Sequence, residues 1–231
     1  MNRIVLSIVL AVFSLMASAQ LKITGEYELK YAPVNDPEYF WTQFKEKKAS
    51  VVVDKDKLRL ESKKEGLSVV SCAEFDINTE AEDFIFEYVF KPSEVDDNKP
   101  FGIVFDYKNE NNYSLITFAE KGFMYQVCEK GEFSVVKRGT YKMSSRKKDF
   151  QDEEYSSELK SILKDKDVFD VTIVKQQGKF YLLVNDLEVA RFKNVNITSS
   201  NMGFYIGTEM KLDAYCVLFS SIYYGDEDEV E

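Results

Sequence analysis

Glu74 and Asp76 sit two residues apart in the run A-E-F-D-I-N-T-E-A-E-D-F-I-F-E-Y-V-F (73–90), with further acids at Glu80, Glu82 and Asp83. In a strand, side chains alternate, so an E-x-D-x-E spacing puts three carboxylates on one face. A retaining glycosidase needs such a set, with nucleophile and acid/base about 5 Å apart and a third group tuning them. Here the third position on that face is Asn78, and Glu80 follows the turn-like dipeptide N-T.

 

That dipeptide is Asn78-Thr79. The acids therefore read as the end of one strand (Glu74, Asp76), a polar turn (N-T-E-A-E-D) and a returning strand (F-I-F-E-Y-V-F), with no catalytic set. Sugar-cleaving grooves also use stacking aromatics, and the one tryptophan, Trp41, lies far upstream.

Other chemistries are excluded more broadly. Histidine is absent from all 231 residues, which removes Ser-His and Cys-His nucleophile activation and most zinc and iron sites. Cys72, Cys128 and Cys216 are widely spaced, with no C-x-x-C. An exported chain could join two of them in any of three ways, and three buried small hydrophobes fit the same apolar surroundings. E-V-D-D-N (94–98) offers acids for a calcium loop or a solvated hairpin end, without the spaced oxygen ligands of a calcium motif. No cofactor is expected, and no calcium ligand set can be placed.

The N-terminus reads as an export signal: Arg3, the apolar run 4–16, and Ala17-Ser18-Ala19 as a cleavage site. The run is too short for a spanning helix. The mature chain is expected to begin at Gln20 and to lie in the periplasm, at the cell surface or outside a bacterial cell, with no transmembrane segment after cleavage. Without residues 1–19 the chain has 29 basic and 40 acidic residues. Such a balance repels phosphate backbones, so nucleic acid is not an expected partner. The final G-D-E-D-E-V-E is a solvated acidic tail (225–231).

Strand signals dominate from residue 50 onward: short runs rich in Val, Ile, Phe and Tyr, bounded by Asn, Asp, Gly or Lys. They predict about a dozen strands in one sandwich or barrel. C-E-K-G-E-F and V-K-Q-Q-G-K-F place Gly at hairpin corners, V-N-D-L gives another tight turn, and the Asn-rich 106–113 a further one. One segment differs: in 152–167, Tyr155, Leu159, Ile162 and Leu163 have helical spacing, with acids early and lysines late. It predicts one short inserted surface helix.

Several of these blocks carry a resemblance. F-G-I-V-F-D-Y-K-N-E-N-N-Y-S-L-I-T-F, G-F-M-Y-Q-V-C-E-K-G-E-F, F-D-V-T-I-V-K-Q-Q-G-K-F-Y-L-L-V-N-D-L-E-V-A-R-F, M-G-F-Y-I-G and C-V-L-F-S-S-I-Y-Y follow in order. Together they resemble the concanavalin A-like jelly roll, in the laminin-G-like form found in exported bacterial proteins. The likeness covers residues 38–224, after a lead-in at 20–37, and implies an all-β jelly-roll β-sandwich. The insertion at 138–167 replaces a shorter linker, and no calcium set of the mammalian laminin-G kind is present. Relatives of this form are often lectin-like modules, so the resemblance implies a non-catalytic binding module for carbohydrate. The alternative is a structural or protein-interaction domain of a cell-envelope assembly, using the acidic tail or the inserted helix. A β-glucanase-like glycoside hydrolase ranks third.

Alternation within the strands supplies candidate ligand contacts. With Phe84, Phe86, Tyr88 and Phe90 facing the core, Glu87 faces away. The same logic turns Asp106, Gln126, Asp170 and Thr172 outward. These five are expected to share one open, polar sheet face that holds a glycan.

Overall fold

A computed structural model describes residues 21, 23–80, 82–141, 161–193 and 195–224. The expected signal segment and acidic tail lie outside the described residues, as do residues 152–160 of the expected helix. Residues 161–163 are helical. Among the described residues, no helix is long and apolar enough to cross a membrane.

The described strands form two antiparallel sheets. The larger contains β1 (Lys30–Pro33), β2 (Phe44–Lys45), β3 (Ala49–Asp54), β4 (Lys57–Ser62), β6 (Asp83–Pro92), β11 (Phe169–Gln176), β12 (Lys179–Val184), β13 (Leu187–Lys193) and β15 (Met210–Ile222). Its order is β13-β12-β11-β6-β15-β4-β3-β2, and β1 also pairs with β15. The smaller contains β5 (Val69–Glu74), β7 (Phe101–Asn109), β8 (Asn112–Ala119), β9 (Gly122–Glu129), β10 (Glu132–Gly139) and β14 (Asn201–Ile206). Its order is β10-β9-β8-β7-β14-β5. This is the expected all-β sandwich.

Turn chemistry sets the hairpins. Lys130 and Gly131 (φ 54° and 83°) join β9 to β10, Gln177 and Gly178 (50° and 70°) join β11 to β12, and Asn185 and Asp186 (49° and 66°) join β12 to β13. Two successive residues at positive φ match the right-handed twist of the strands they join. The Asn-rich turn is held by the Asn109 carboxamide oxygen, which accepts from the Asn111 amide at 3.0 Å and from the Asn112 side chain at 2.9 Å.

Alternating aromatics face one another between the sheets. Phe84, Phe86, Tyr88 and Phe90 of β6 and Phe101, Ile103 and Phe105 of β7 are buried, as alternation predicts. Phe101 meets Phe169 at 5.0 Å edge to face, and Phe105 stacks on Phe180 at 5.5 Å. Both contacts cross from the small sheet to the large one. Each fully buried ring of this size contributes about 1.5–3 kcal/mol by leaving water.

The large sheet is also covered on its outer side. Leu21, Ile23 and Leu29 pack there against Ile85, Val174, Tyr181 and Ile222. Leu163 and Val168 pack on Val89, Cys216 and Leu218. The centre of this sheet is therefore buried on both faces.

Candidate functional site

The five outward residues do not share an open face. Glu87, Asp170 and Thr172 belong to the large sheet, whereas Asp106 and Gln126 belong to the small one. Thr172 lies directly opposite Glu87 across the β6–β11 ladder. Both point to the covered side, where Glu87 is 1% exposed and Asp170 is 0% exposed. The Asp170 amide donates to the Asn185 side-chain oxygen at 3.1 Å, tying it to the β12–β13 turn. Leu21, Ile23, Leu29, Leu163 and Val168, far away in sequence, supply the cover.

Asp106 is a structural bracket. It sits at φ 51°, where the β7–β8 register shifts, and is 9% exposed. One carboxylate oxygen accepts from the amides of Thr198 at 2.8 Å and Ser199 at 2.9 Å, and from the Thr198 hydroxyl at 3.3 Å. The other lies 3.5 Å from the Lys108 ammonium. Its hydrogen-bonding capacity is turned toward the chain itself. Of the five, only Gln126 stands half-buried on an open face, on the outside of the small sheet.

Other expectations from sequence resolve more simply. All three cysteines are free and buried, and burial pushes the Cys72 and Cys216 thiols up, away from thiolate reactivity. In 94–98, Glu94 pairs with Lys99 at 2.6 Å and Asp97 pairs with Lys121. Among the described residues, no three His, Cys, Asp or Glu side chains gather as metal ligands.

A cleft of about 880 Å³ opens beside β5, at the edge of the small sheet. One wall is the segment 38–42. It lies along β5 because the Thr42 amide donates to the Cys72 carbonyl at 3.0 Å and the Ser71 hydroxyl donates to the Thr42 carbonyl at 2.9 Å. The other wall is the continuation of β5, where Phe75, Ile77 and Thr79 are buried and Glu74, Asp76 and Asn78 alternate outward. Phe75 forms the floor, stacked on Tyr39 at 5.3 Å and edge-on to Phe219 at 5.1 Å.

The rim combines one exposed ring with hydrogen-bonding groups. Phe40 is 86% exposed, and Tyr107 and Asn201 line the side nearest the small sheet. Lys30, also in the lining, places its ammonium 5.7 Å from the centre of the Phe219 ring. Burial raises the Tyr39 hydroxyl pKa, and the fields of Glu38, Asp36 and Asp76 raise it further. An ionised tyrosine is therefore disfavoured there.

This arrangement offers carboxylate and amide oxygens for hydroxyl donors, and ring faces for apolar surfaces. Sequence reasoning set Glu74 and Asp76 aside as a strand end and overlooked Phe40. The available signals were the E-x-D-x-N alternation and the aromatic triplet Tyr39-Phe40-Trp41.

No protein-family model matches the chain, and no curated protein sequence matches it. Among solved structures, it is similar to the carbohydrate binding module CBM66 from Bacillus subtilis. That match has a TM-score of 0.51 and 12% identity, covering 76% of this chain and 92% of that one. It is also similar to a Bacillus subtilis protein of unknown function with a galectin-like fold, with a TM-score of 0.49 and 10% identity, covering 86% and 91%. A legume lectin-like domain from Entamoeba histolytica matches with a TM-score of 0.48 and 13% identity, covering 80% and 92%. At 12% identity the likeness to the first of these is one of fold alone, an antiparallel β-sandwich.

Proposed function

We propose that the protein is an exported, non-catalytic carbohydrate-binding module, and that its glycan sits in the cleft beside β5. The observation that carries this reading is the Phe40 ring, 86% exposed, on the rim of a cleft that Glu74, Asp76 and Asn78 also line. A sugar ring has one relatively apolar face and a periphery of hydroxyls. An exposed aromatic beside fixed acceptors meets both needs. The fold shared with a carbohydrate binding module supports the reading.

The test is a glycan array probed with protein recovered from periplasm or culture medium, followed by titration of the glycan that binds. Each hydrogen bond to a charged group contributes about 1.5–3 kcal/mol, so Asp76→Ala weakens binding roughly ten- to a hundredfold. Phe40→Ala weakens it about tenfold, since removing ring contact of about 1.4 kcal/mol is one decade. Both residues are exposed, so melting temperatures stay near wild type. Wild-type affinity in both variants removes the cleft as the site. Recovery of protein that retains Met1, rather than beginning at Gln20, removes export.

A further inference from the structure

The outer face of the small sheet continues from this cleft. Strand register sets out its rows: Val135, Gln126, Leu115 and Val104 lie side by side on β10, β9, β8 and β7. Val104 and Leu115 form a buried floor, against which Tyr107, Tyr113 and Tyr205 pack half-buried. Gly102 and Gly203 add no side chain to β7 and β14, and the backbones of Ile116 and Ser71 leave no room for a Cβ at either. The face is thus low in its middle and ringed by aromatics.

Tyr107 belongs to both regions. It lines the cleft and lies 5.9 Å from Tyr113, which in turn lies 5.9 Å from Phe133 on edge strand β10. Phe133 is 50% exposed. Aromatic groups therefore run from the cleft to the far edge of the sheet. Six strands at roughly 4.8 Å spacing give a face about 24 Å across, long enough for several sugar rings in a row.

Charge narrows the occupant. The chain carries 40 acidic residues, yet the row from Val135 to Val104 contains none, and Gln126 is its one polar side chain. Asp106, beside this row, directs its carboxylate to Thr198 and Ser199. The row itself is uncharged, and the cations near it, Arg138 opposite Met124 on the edge strand and Lys30 and Lys108 in the cleft, stand at its two ends. Mid-track on a chain this acidic therefore favours an uncharged ligand.

Resting on the glycan reading above, we propose that the cleft is one end of a longer track. The protein grips an uncharged linear glycan along several units, across the outer face of the small sheet, rather than a single terminal sugar. Gln126 supplies hydrogen bonds in mid-track, and Phe133 supplies the distal ring contact.

The test is isothermal titration with cello-, xylo-, manno- and malto-oligosaccharides of two to six units, and with an oligogalacturonate ladder as the anionic comparison. The best neutral ladder is expected to gain at least tenfold in affinity from disaccharide to hexasaccharide, with no binding of oligogalacturonate. Phe133→Ala and Gln126→Ala each lower hexasaccharide affinity about five- to tenfold at unchanged melting temperature. Tyr223→Ala, on the large-sheet side of the molecule, leaves it unchanged. Equal affinity for disaccharide and hexasaccharide overturns the track while leaving the cleft as a single-sugar site. Tighter binding of oligogalacturonate overturns the uncharged specificity. Failure of every neutral and anionic ladder, together with a blank glycan array, removes both the track and the proposed function.

Discussion

Replacing Asp106 with alanine separates a structural carboxylate from a ligand contact. Two backbone amides, Thr198 and Ser199, donate to one carboxylate oxygen at 2.8 and 2.9 Å. Hydrogen bonds to a charged group contribute about 1.5–3 kcal/mol each, and partial access of water returns some of that, leaving a loss of about 3 kcal/mol. Alanine at φ 51° adds about 1 kcal/mol, because the left-handed region suits Asp and Asn better than Ala. The expected total, about 4 kcal/mol, corresponds to a fall in melting temperature of roughly 8–16 °C for a domain of this size. Urea unfolding followed by circular dichroism measures it directly. Asp106→Asn keeps one acceptor oxygen and tolerates the backbone, so its loss is about 1–2 kcal/mol. A variant Asp106→Ala that melts within about 2 °C of wild type would refute this reasoning. Loss of glycan affinity alongside that result would return Asp106 to the ligand site.

Asp213 tests the electrostatics of the β4–β15 ladder. Burial works to raise its carboxyl pKa, but hydrogen bonds from Arg59 and Lys57 at 2.8 Å outweigh it and hold the group below the usual range. A depressed native pKa gives stability above the unfolded value of about 3.9 and loses it as pH falls through the native value. Asp213→Asn should therefore cost about 1 kcal/mol at neutral pH, with the difference closing in strong acid. A melting-temperature gap that stays constant from pH 7 to pH 2 contradicts this. Gly203→Ala is expected to cost more than about 4 kcal/mol, since its Cβ would lie 1.9 Å from the Ser71 carbonyl oxygen on the neighbouring strand. Wild-type stability in urea would show that the β5–β14 pair yields easily.

Much of the fold was legible because hydrophobic alternation and turn chemistry act locally. The pair Asn185-Asp186 marks a corner by tolerating positive φ, and F-I-F-E-Y-V-F marks a strand by its alternate large rings. The strands β1 and β2 were not legible. Phe44–Lys45 is too short to show a period, and Lys30–Pro33 ends on a proline at the periphery of its sheet. Both are held by pairing with longer strands, β15 and β3.

The site was less legible because alternation assigns a residue to a face of its own strand, not to solvent. On β6 the outward set is Ile85, Glu87 and Val89, and on β15 it includes Cys216, Leu218 and Ile222. Two apolar neighbours flanking Glu87 were a sign of a covered face, and segments distant in sequence provide that cover. Beside β5, alternation does report exposure. Buried and exposed positions keep alternating through Phe75, Asp76, Ile77 and Asn78, past the last ladder residue, so the polar wall of the cleft follows from local periodicity. Its facing wall depends on Thr42 meeting Cys72 across thirty residues of chain. A contact of that separation leaves no periodic trace in either segment, and only the folded chain brings Phe40 to the rim opposite Glu74 and Asp76.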